Sequence, residues 1–269
     1  MVSLASRKRV VKSLMERGCS RSRSCKTAYI SRGTSLDAPK DRNPELRIKV
    51  LELAKANPRY GFRRVHALLP HVNIKAVHRI WKEESLRLSR RVRRKLQVPK
   101  LPSLSYTAPN QGWCMDFASE RLENGRQARI LAVLDCFTRE CLLLKAAPSF
   151  PAISVQEELE WLFLTRAKPS QIVSDNGPEF RAIKLPPEVE SAFIQPGKPW
   201  QNGRVESFFD KLRDELLRGS RYSSGQELQS ELDDFQDHYN TRRPHRSLQG
   251  LAPANFVQQL TTTGGQYGH

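Results

Sequence analysis

Three acidic residues occupy positions where an acid needs an explanation. Asp116 lies inside the apolar stretch GWCMDFAS, Asp175 ends the apolar stretch QIVSD, and Glu206 lies within GRVESFFDKL, a segment with helical periodicity. A buried carboxylate is costly unless a cation or hydrogen-bond donors compensate its charge. Asp116 therefore needs a partner that its own strand does not supply.

Each of these acids also has a simpler interpretation. Asp-Asn-Gly is a common turn sequence, so Asp175 could do no more than end a strand. A glutamate beside an apolar helical stripe is usually a solvated side chain, which is the alternative for Glu206. Asp135 and Glu140 are rival acids, but they flank a predicted hairpin turn, where a structural role is favoured.

A shared site for Asp116, Asp175 and Glu206 would bring three negative charges together, and such charges resist ionising at the same time. A divalent cation removes this conflict. Mg²⁺ prefers oxygen ligands, and two ions roughly 4 Å apart can activate a nucleophile and stabilise the leaving oxygen in phosphoryl transfer. The three acids therefore predict a site for two Mg²⁺ or Mn²⁺ ions and phosphoryl-transfer chemistry.

The elements that would position these acids follow from the periodicity. Residues 113–147 predict three successive strands, 153–164 an amphipathic helix, and 171–177 and 191–195 two more strands, which indicates an α/β fold with a mixed sheet. The helix of Glu206 is predicted to begin near Asn202, a candidate N-cap, with Glu206 about 60° beyond the edge of the apolar stripe. The stripe consists of Val205, Phe208, Phe209, Leu212 and Leu216.

A helical region precedes the strands. Residues 43–57, 62–69 and 74–84 have apolar residues at helical spacing, separated by short turns. Basic residues on these helices fit a helix-turn-helix DNA-binding region, but a three-helix bundle with solvated basic residues fits equally well. Residues 7–36 could form a second, weaker helix-turn-helix. The candidate DNA contacts are Arg59, Arg63, Arg64, Lys75 and Arg79.

The excess of positive charge belongs to the first part of the chain. Residues 1–100 contain 27 Lys and Arg against 7 Asp and Glu, whereas residues 101–269 contain 18 against 21. This asymmetry points to a polyanion, and nucleic acid is the favoured partner. The basic run 87–102 either contacts phosphates or forms a solvated linker between domains. Its candidate DNA contacts are Arg90, Arg91, Arg93, Arg94 and Lys95.

Other classes of protein are disfavoured by the composition. The sequence has no apolar run of 18 residues and no apolar core of a signal peptide, so we expect no membrane partner. Five cysteines without a Cys-x-x-Cys pair, and histidines without a cysteine partner, argue against a zinc site. We therefore expect a cytosolic protein with reduced cysteines.

Four blocks, in order, resemble the signature blocks of the OrfB-type transposases of bacterial insertion sequences: WCMDF, SDNGPEF, KPWQNGRVESFFDKLRDELL and YNTRRPHRSLQGLAPANF. This IS-three-type family shares the catalytic core of retroviral integrases. The resemblance covers residues 43–256, and RYGFRRVHALL resembles the family's accessory helix-turn-helix block. It implies a bacterial protein with an RNase H-like mixed sheet, an all-α helix-turn-helix region before it, and a DDE triad of Asp116, Asp175 and Glu206.

The resemblance and the charge pattern together imply five segments: a basic segment 1–42, a helix-turn-helix-like domain 43–86, a basic linker 87–104, a catalytic core 105–220, and a C-terminal helix and tail 221–269. The family places residues near the DNA ends just before the third acid. This implies DNA contacts at Lys198, Gln201 and Asn202, with a plain surface loop as the alternative. The YNTRRPHRSL block either contacts phosphates through Arg242, Arg243, His245 and Arg246 or docks the C-terminal tail.

The predicted function is a transposase that cleaves element ends and joins them to target DNA, as a homo-oligomer on double-stranded DNA. One alternative is an inactive DNA-binding remnant that acts as a repressor or inhibitor, and another is a nuclease of the same fold. Only thirty residues separate Asp175 from Glu206, fewer than is usual in the family, which motivates the remnant. An upstream-frame protein fused by translational frameshifting is a further expected partner.

Overall fold

The computed structural model describes residues 3–36, 43–86, 106–195 and 202–262. The chain divides into two compact units, Met1–Glu52 and Leu53–His269. The sequence predicts a boundary at residue 43. The observed division instead falls inside the helix Pro44–Ala56. The predicted linker lies outside the described residues, so the five-segment organisation stays a prediction.

The first unit begins with three short helices, α1 (Leu4–Glu16), α2 (Arg21–Thr27) and α3 (Arg32–Leu36). Serine side chains cap the first two, because Ser3 accepts from the Ser6 N–H and Ser20 accepts from the Arg23 N–H. A small core joins α1 to α2 and the residues after it, and it consists of Val11, Cys25 and Ala28, with Ile30 against them.

The three helices expected between residues 43 and 84 are confirmed as α4 (Pro44–Ala56), α5 (Phe62–Ala67) and α6 (Ile74–Glu83). The Asn73 side chain caps α6 by accepting from the Lys75 N–H at 2.8 Å. Helix α6 buries Val77, Ile80 and Trp81. None of the helices in the described ranges is both long and apolar enough to cross a membrane.

A five-stranded mixed sheet forms the centre of the second unit. The strands are β1 (Gly112–Arg121), β2 (Gln127–Asp135), β3 (Cys141–Ala147), β4 (Gln171–Ser174) and β5 (Glu190–Phe193), in the order β3-β2-β1-β4-β5. Strands β1 to β3 form an antiparallel meander, whereas β4 pairs parallel to β1 and β5 pairs parallel to β4. This arrangement confirms the α/β fold with a mixed sheet and has the strand order of the expected RNase H-like fold.

Helices cover both faces of the sheet. One face packs against α7 (Ala152–Thr165) and α8 (Pro178–Arg181), and the other packs against α9 (Gly203–Leu212) and α10 (Gly225–Thr241). Helix α9 continues into a π-helical turn (Arg213–Leu217), and a 3₁₀ turn (Arg246–Leu248) precedes α11 (Pro253–Thr262). Alternation along β1 gives each face its share of the core: Cys114 and Ala118 face α9, whereas Trp113 and Met115 face α7.

Amide side chains of α10 cover the edge of β3. The Gln229 side chain accepts from the Ala146 N–H and donates to the Leu144 carbonyl, at 2.7 and 3.1 Å. The Asn240 side chain does the same with the N–H and the carbonyl of Cys141, both at 2.8 Å. An edge strand otherwise presents unpaired backbone groups. Helix α10 is therefore part of the same fold as the sheet and covers its β3 edge.

The rival acids at the β2–β3 turn have the structural role that the sequence favours. The Asp135 carboxylate is buried and accepts from the backbone N–H groups of Asn110, Phe137 and Thr138, each at 2.7 Å. Glu140 receives two hydrogen bonds from Arg166, at 2.7 and 2.9 Å. Both carboxylates are thus occupied by hydrogen bonds, from the turn and from Asn110 and Arg166.

Tyr106 lies over a glycine at the start of β1. Its hydroxyl donates to the Gln171 side chain on β4 at 2.9 Å, and the guanidinium carbon of Arg204 on α9 is 5.2 Å from the centre of its ring. A Cβ atom at Gly112 would overlap that ring. Gly112 therefore allows one aromatic side chain to join β1, β4 and α9.

We expect Gly112→Ala to lower the free energy of unfolding by about 1–3 kcal/mol, because the added methyl displaces the Tyr106 ring. Urea unfolding of both single variants and of the double variant with Tyr106→Ala measures this effect. The double variant should lose less than the sum of the single losses, since its clash is gone. Gly225→Ala is the control, because a Cβ there meets no atom within 4 Å. Strictly additive losses would contradict the assignment.

Candidate catalytic site

The parallel pairing of β1 with β4 makes Asp116 and Asp175 neighbours. Cys114 pairs with Val173 in the parallel register, and each aspartate lies two residues beyond its member of this pair. Adjacent strands are about 4.8 Å apart. The two aspartates therefore lie side by side where the parallel pairing ends, Asp116 within β1 and Asp175 directly after β4.

Asp116 is half-buried and its charge is disfavoured. Burial raises the pKa of Asp116 to about 6, although a hydrogen bond from the Phe117 N–H to its Oδ1 at 2.8 Å opposes the shift. The negative charges of Asp175 and Glu206 raise this pKa further, and Arg213 lowers it. The negative charges of Asp175 and Glu206 therefore reach Asp116.

Asp175 is held by a tight turn. The Gly177 N–H donates to Asp175 Oδ1 at 2.9 Å, and the Asn176 side chain donates to the Ile194 carbonyl after β5 at 2.7 Å. A Cβ atom at Gly177 would come within 3.0 Å of the same carboxylate oxygen. The turn interpretation and the site interpretation of Asp175 are therefore compatible, because the turn orients its carboxylate.

The predicted apolar stripe sets the rotation of the helix that holds Glu206. Val205, Phe208, Phe209 and Leu212 are all buried on α9, whereas Glu206 is exposed beside them. Burial, and then the charge of Asp210, raises the pKa of Glu206. The predicted stripe is confirmed for these four residues, and Glu206 is exposed next to it. Strand β5 also pairs in register with β4, so the short segment before Glu206 does not interrupt the sheet.

Asn202 is predicted from the sequence as an N-cap and as a DNA contact, and the structure supports neither role. It occupies the N-cap position of α9, but its side chain makes no capping hydrogen bond. Its amide nitrogen donates instead to the carbonyl of Met115, the residue before Asp116, at 3.2 Å. Asn202 is 3% exposed, which is unlike a DNA-contacting surface residue. It ties the start of α9 to β1, one helical turn before Glu206.

The chemistry of the donor set fits a divalent cation. No basic side chain in the described ranges forms an ion pair with Asp116, Asp175 or Glu206, whereas the neighbouring Glu179 pairs with Arg129 at 2.5 Å. That hydrogen bond holds the pKa of Glu179 below its usual range. Three unneutralised carboxylates are hard oxygen ligands of the kind that Mg²⁺ prefers. Among the described residues, no three His, Cys, Asp or Glu side chains are already arranged as one metal-holding group.

The predicted DNA contacts on α5 and α6 fall into two groups. Arg63 and Lys75 are exposed, and Arg79 lies 3.7 Å from Glu83 on its own helix. Arg59 and Arg64 instead pair with Asp214 and Glu215 of the π-helical turn. Seven further candidates lie outside the described residues, namely Arg90, Arg91, Arg93, Arg94, Lys95, Lys198 and Gln201.

The YNTRRPHRSL block contains buried polar residues that sequence analysis missed. Arg243 is 1% exposed and bonds to Glu215, and His245 is 6% exposed with its ring 4.6 Å from that of Tyr239. Neither side chain is placed to contact a phosphate, whereas Arg242 and Arg246 are exposed. Sequence analysis gave no signal of this difference, because all four residues belong to one polar run.

Comparison with known protein families gave two matching domain models and several relatives. Two family models, each described as an integrase core domain, match residues 106–207 and 188–253. A protein of insertion element IS476 from Xanthomonas euvesicatoria is 33% identical over 252 residues, which are 89% of this chain and 73% of that protein. A protein of insertion element IS407 from Burkholderia multivorans is 32% identical over 253 residues, covering 90% and 91%.

A third relative has a transposase name. The transposase InsD of insertion element IS2 from Escherichia coli is 28% identical over 235 residues, which are 77% of this chain and 76% of the relative. The matches extend well beyond the integrase core into the helical region before it. On the evidence of these domain models and relatives, the chain belongs to the insertion-element transposases that have an integrase core domain.

Proposed function

We propose that Asp116, Asp175 and Glu206 are the catalytic triad with which this transposase cleaves DNA strands and transfers them. The main support is the parallel register, in which both aspartates follow the Cys114–Val173 pair by two residues. The raised pKa of Asp116, caused by burial and then by the charges of the other two acids, supports a shared site. The proposed triad combines three side chains from separate parts of the fold: β1, the turn after β4, and α9.

The chain's own groups prepare this site in three ways. The sheet fixes the separation of the two aspartates, and the turn at Gly177 orients one of them through a backbone N–H. The buried stripe of α9 and the Asn202 bond to β1 fix the rotation of Glu206. Such fixed orientation lowers the barrier by prearranging the reacting groups.

The three carboxylates would hold the divalent cations, Mg²⁺ or Mn²⁺, and we propose two ions. Bound there, such ions activate an oxygen nucleophile and stabilise the leaving oxygen of a phosphodiester. The unneutralised charge of the three acids supports this assignment. The substrate is double-stranded DNA at the element ends and at the target, which lies in the bacterial nucleoid.

The remaining parts of the proposal concern assembly. We propose that the basic residues of the first 100 hold DNA, since they contain the whole excess of positive charge. We also propose a homo-oligomer on DNA, because two element ends must be brought to one target. We also propose that an upstream-frame protein is fused to this chain by translational frameshifting. No observation favours the inactive remnant, since the sheet and the stripe of α9 are intact.

Asp116→Asn, Asp175→Asn and Glu206→Gln should each abolish strand transfer while binding to end DNA stays nearly unchanged. The measurement is strand transfer of labelled element-end duplexes in Mg²⁺, with affinity measured separately. Double variants should lose no more than single ones, because the acids act as one unit. Glu157→Gln, on the exposed face of α7, is the matched control. Substantial activity in any triad variant would remove that residue from the site.

Asp116→Asn should also stabilise the metal-free protein at neutral and alkaline pH. The folded-state pKa of Asp116 is about 6, above the unfolded value of about 4. The free energy of unfolding therefore falls as the pH rises from about 4 to about 6, and this loss is complete above that range. Below about pH 4 the carboxyl is protonated in both states. We expect a gain of about 2 kcal/mol at pH 8 and under about 1 kcal/mol near pH 4.

Denaturant unfolding of the wild type and the variant across this pH range measures the gain. Added MgCl₂ should raise the melting temperature of the wild type at pH 8 and have little effect on Asp116→Asn, because the variant lacks a ligand. Glu157→Gln again serves as the control. A gain that is independent of pH would show that Asp116 is not under electrostatic strain.

DNA binding by the full chain should weaken steeply with salt, with a log–log slope of about −0.9 per phosphate neutralised. Arg63→Ala and Lys75→Ala should each reduce the magnitude of this slope by about 1, since both side chains are exposed on α5 and α6. Fluorescence anisotropy of a labelled duplex at several salt concentrations gives the slope. Lys168→Ala, outside the helical region, should leave it unchanged. An unchanged slope in Arg63→Ala would favour the solvated-bundle interpretation.

A further inference from the structure

The π-helical turn after α9 is a junction of three segments that are distant in sequence. Its Asp214 and Glu215 receive arginines from the segment around α5 and from the segment after α10. A π-helical turn is rare in proteins and is often found at functional sites. The turn continues α9 without a break, so it belongs to the same helical rod as Glu206.

The inner part of this junction is a buried ion pair. Arg243 donates from Nε to Glu215 Oε2 and from Nη2 to Oε1, both at 2.7 Å. Burial alone would raise the pKa of Glu215, but the hydrogen bonds and charge of Arg243, with those of Arg64, hold it below its usual range. Two parallel hydrogen bonds fix the geometry of the pair. The end of the Glu206 helix is therefore locked to the residues after α10.

The outer part links the same turn to the helical region. Arg64 on α5 donates to Glu215 Oε1 at 2.8 Å. Arg59, just before α5, donates to the backbone carbonyl of Asp214 at 3.0 Å and to its Oδ1 at 2.6 Å. Between these arginines Tyr60 is buried at 3% exposure, and the Arg64 guanidinium carbon is 5.2 Å from the centre of its ring. Helix α5 is thus attached to the far end of the rod that presents Glu206.

The donors that Arg59 and Arg64 would offer to a phosphate are directed at protein carboxylates instead. If Arg64 turned to DNA, Glu215 would still be paired with Arg243. If Arg59 turned to DNA, Asp214 would keep only its 3.2 Å contact with Arg218, and its negative charge would lie close to the phosphates. Such like-charge proximity is unfavourable. Arg63, between them in sequence, is exposed and has no carboxylate partner among the described residues. One short segment therefore contains arginines directed at the core and an arginine directed at solvent.

We propose that Arg59 and Arg64 are positioning residues, which fix the DNA-binding helices α5 and α6 to the helix of Glu206 and so determine which phosphodiester of the bound end reaches the triad. DNA held by α5 and α6 would otherwise present its backbone to the site at a variable position. This inference rests on the proposed function, because it concerns the choice of the cleaved bond and presumes the triad.

The test is a charge swap at the exposed pair Arg59–Asp214, whose side chains are 40% and 45% exposed. Arg59→Asp and Asp214→Arg are made singly and together, and cleavage of an end-labelled duplex containing the element terminus is mapped to the nucleotide. Each single variant should cut at the wild-type position roughly tenfold to a hundredfold more slowly and should also cut at neighbouring positions. The double variant should recover the wild-type position and most of the rate.

The matched control is a swap at the exposed pair Lys168–Glu188, whose side chains are 42% and 53% exposed. Neither single variant nor the swap should change the position of cleavage. Arg218→Ala is a second control, because Arg218 also contacts Asp214, at 3.2 Å, and Asp214→Arg removes that contact. The Glu215–Arg243 pair is left intact, since removing one partner would leave a buried uncompensated charge.

A second measurement does not depend on catalysis. Hydrogen exchange of the backbone amides of α5 and α6 should become faster in each single variant of Arg59 and Asp214 and should return to wild-type protection in the swap. Unchanged protection in both single variants would overturn the proposal.

The cleavage assay can also contradict the positioning role of Arg59. If Arg59 contacts a phosphate, Arg59→Asp alone will weaken DNA binding, Asp214→Arg will be harmless, and the swap will not recover activity. A wild-type chain that fails to cleave at all would count against the proposed function, whereas the exchange measurement would still decide the attachment of α5.

Discussion

Parallel pairing between β1 and β4 is the constraint on which the site depends. These two strands are distant in sequence, and their backbone register alone decides that Asp116 and Asp175 become neighbours. Strand β1 can hold this position because β2 and β3 pair with it as a meander and helices cover both faces. A shift of one residue would turn Asp116 towards α7 and bring Met115 to the site face. The core on each face of β1 therefore protects the chemistry as well as the fold.

The third acid depends on a different kind of constraint, the rotation of a helix. Four apolar residues of α9 are buried against the sheet, and this burial leaves Glu206 at the rim. Asn202 adds a polar tie to the Met115 carbonyl, so the start of α9 and the strand of Asp116 are joined directly. At its other end the helix is held by Glu215 and Arg243. Glu206 thus lies on a rod that is fixed on both sides of it.

Charge is arranged in opposite ways in the site and in the helical region around it. The three site acids have no ion-pair partner among the described residues, and burial, followed by the charges of Asp175 and Glu206, raises the pKa of Asp116. Two other acids of the same unit are instead paired with arginines, Glu179 with Arg129 and Glu215 with Arg243. A cluster of acids without such partners suits a divalent cation, which is the role that we propose for it.

The sequence by itself determined the element types, the two faces of β1 and the position of Glu206 beside the apolar stripe, and it singled out the three acids of the proposed site. These features repeat with the period of a strand or a helix, or belong to contiguous motifs, so that neighbouring residues suffice to show them. The structural role of Asp135 was also visible, because its partners lie in the adjacent turn. Only the tertiary structure decided that Asn202 bonds to β1 instead of capping its helix, that Arg243 is buried, and that Arg59 and Arg64 pair with Asp214 and Glu215. Arg64 and Glu215 are far apart in the chain, and an arginine that meets a carboxylate has the same local sequence as one that meets a phosphate. The partner of such an arginine depends on how distant elements pack together, and the local periodicity of the sequence does not show this.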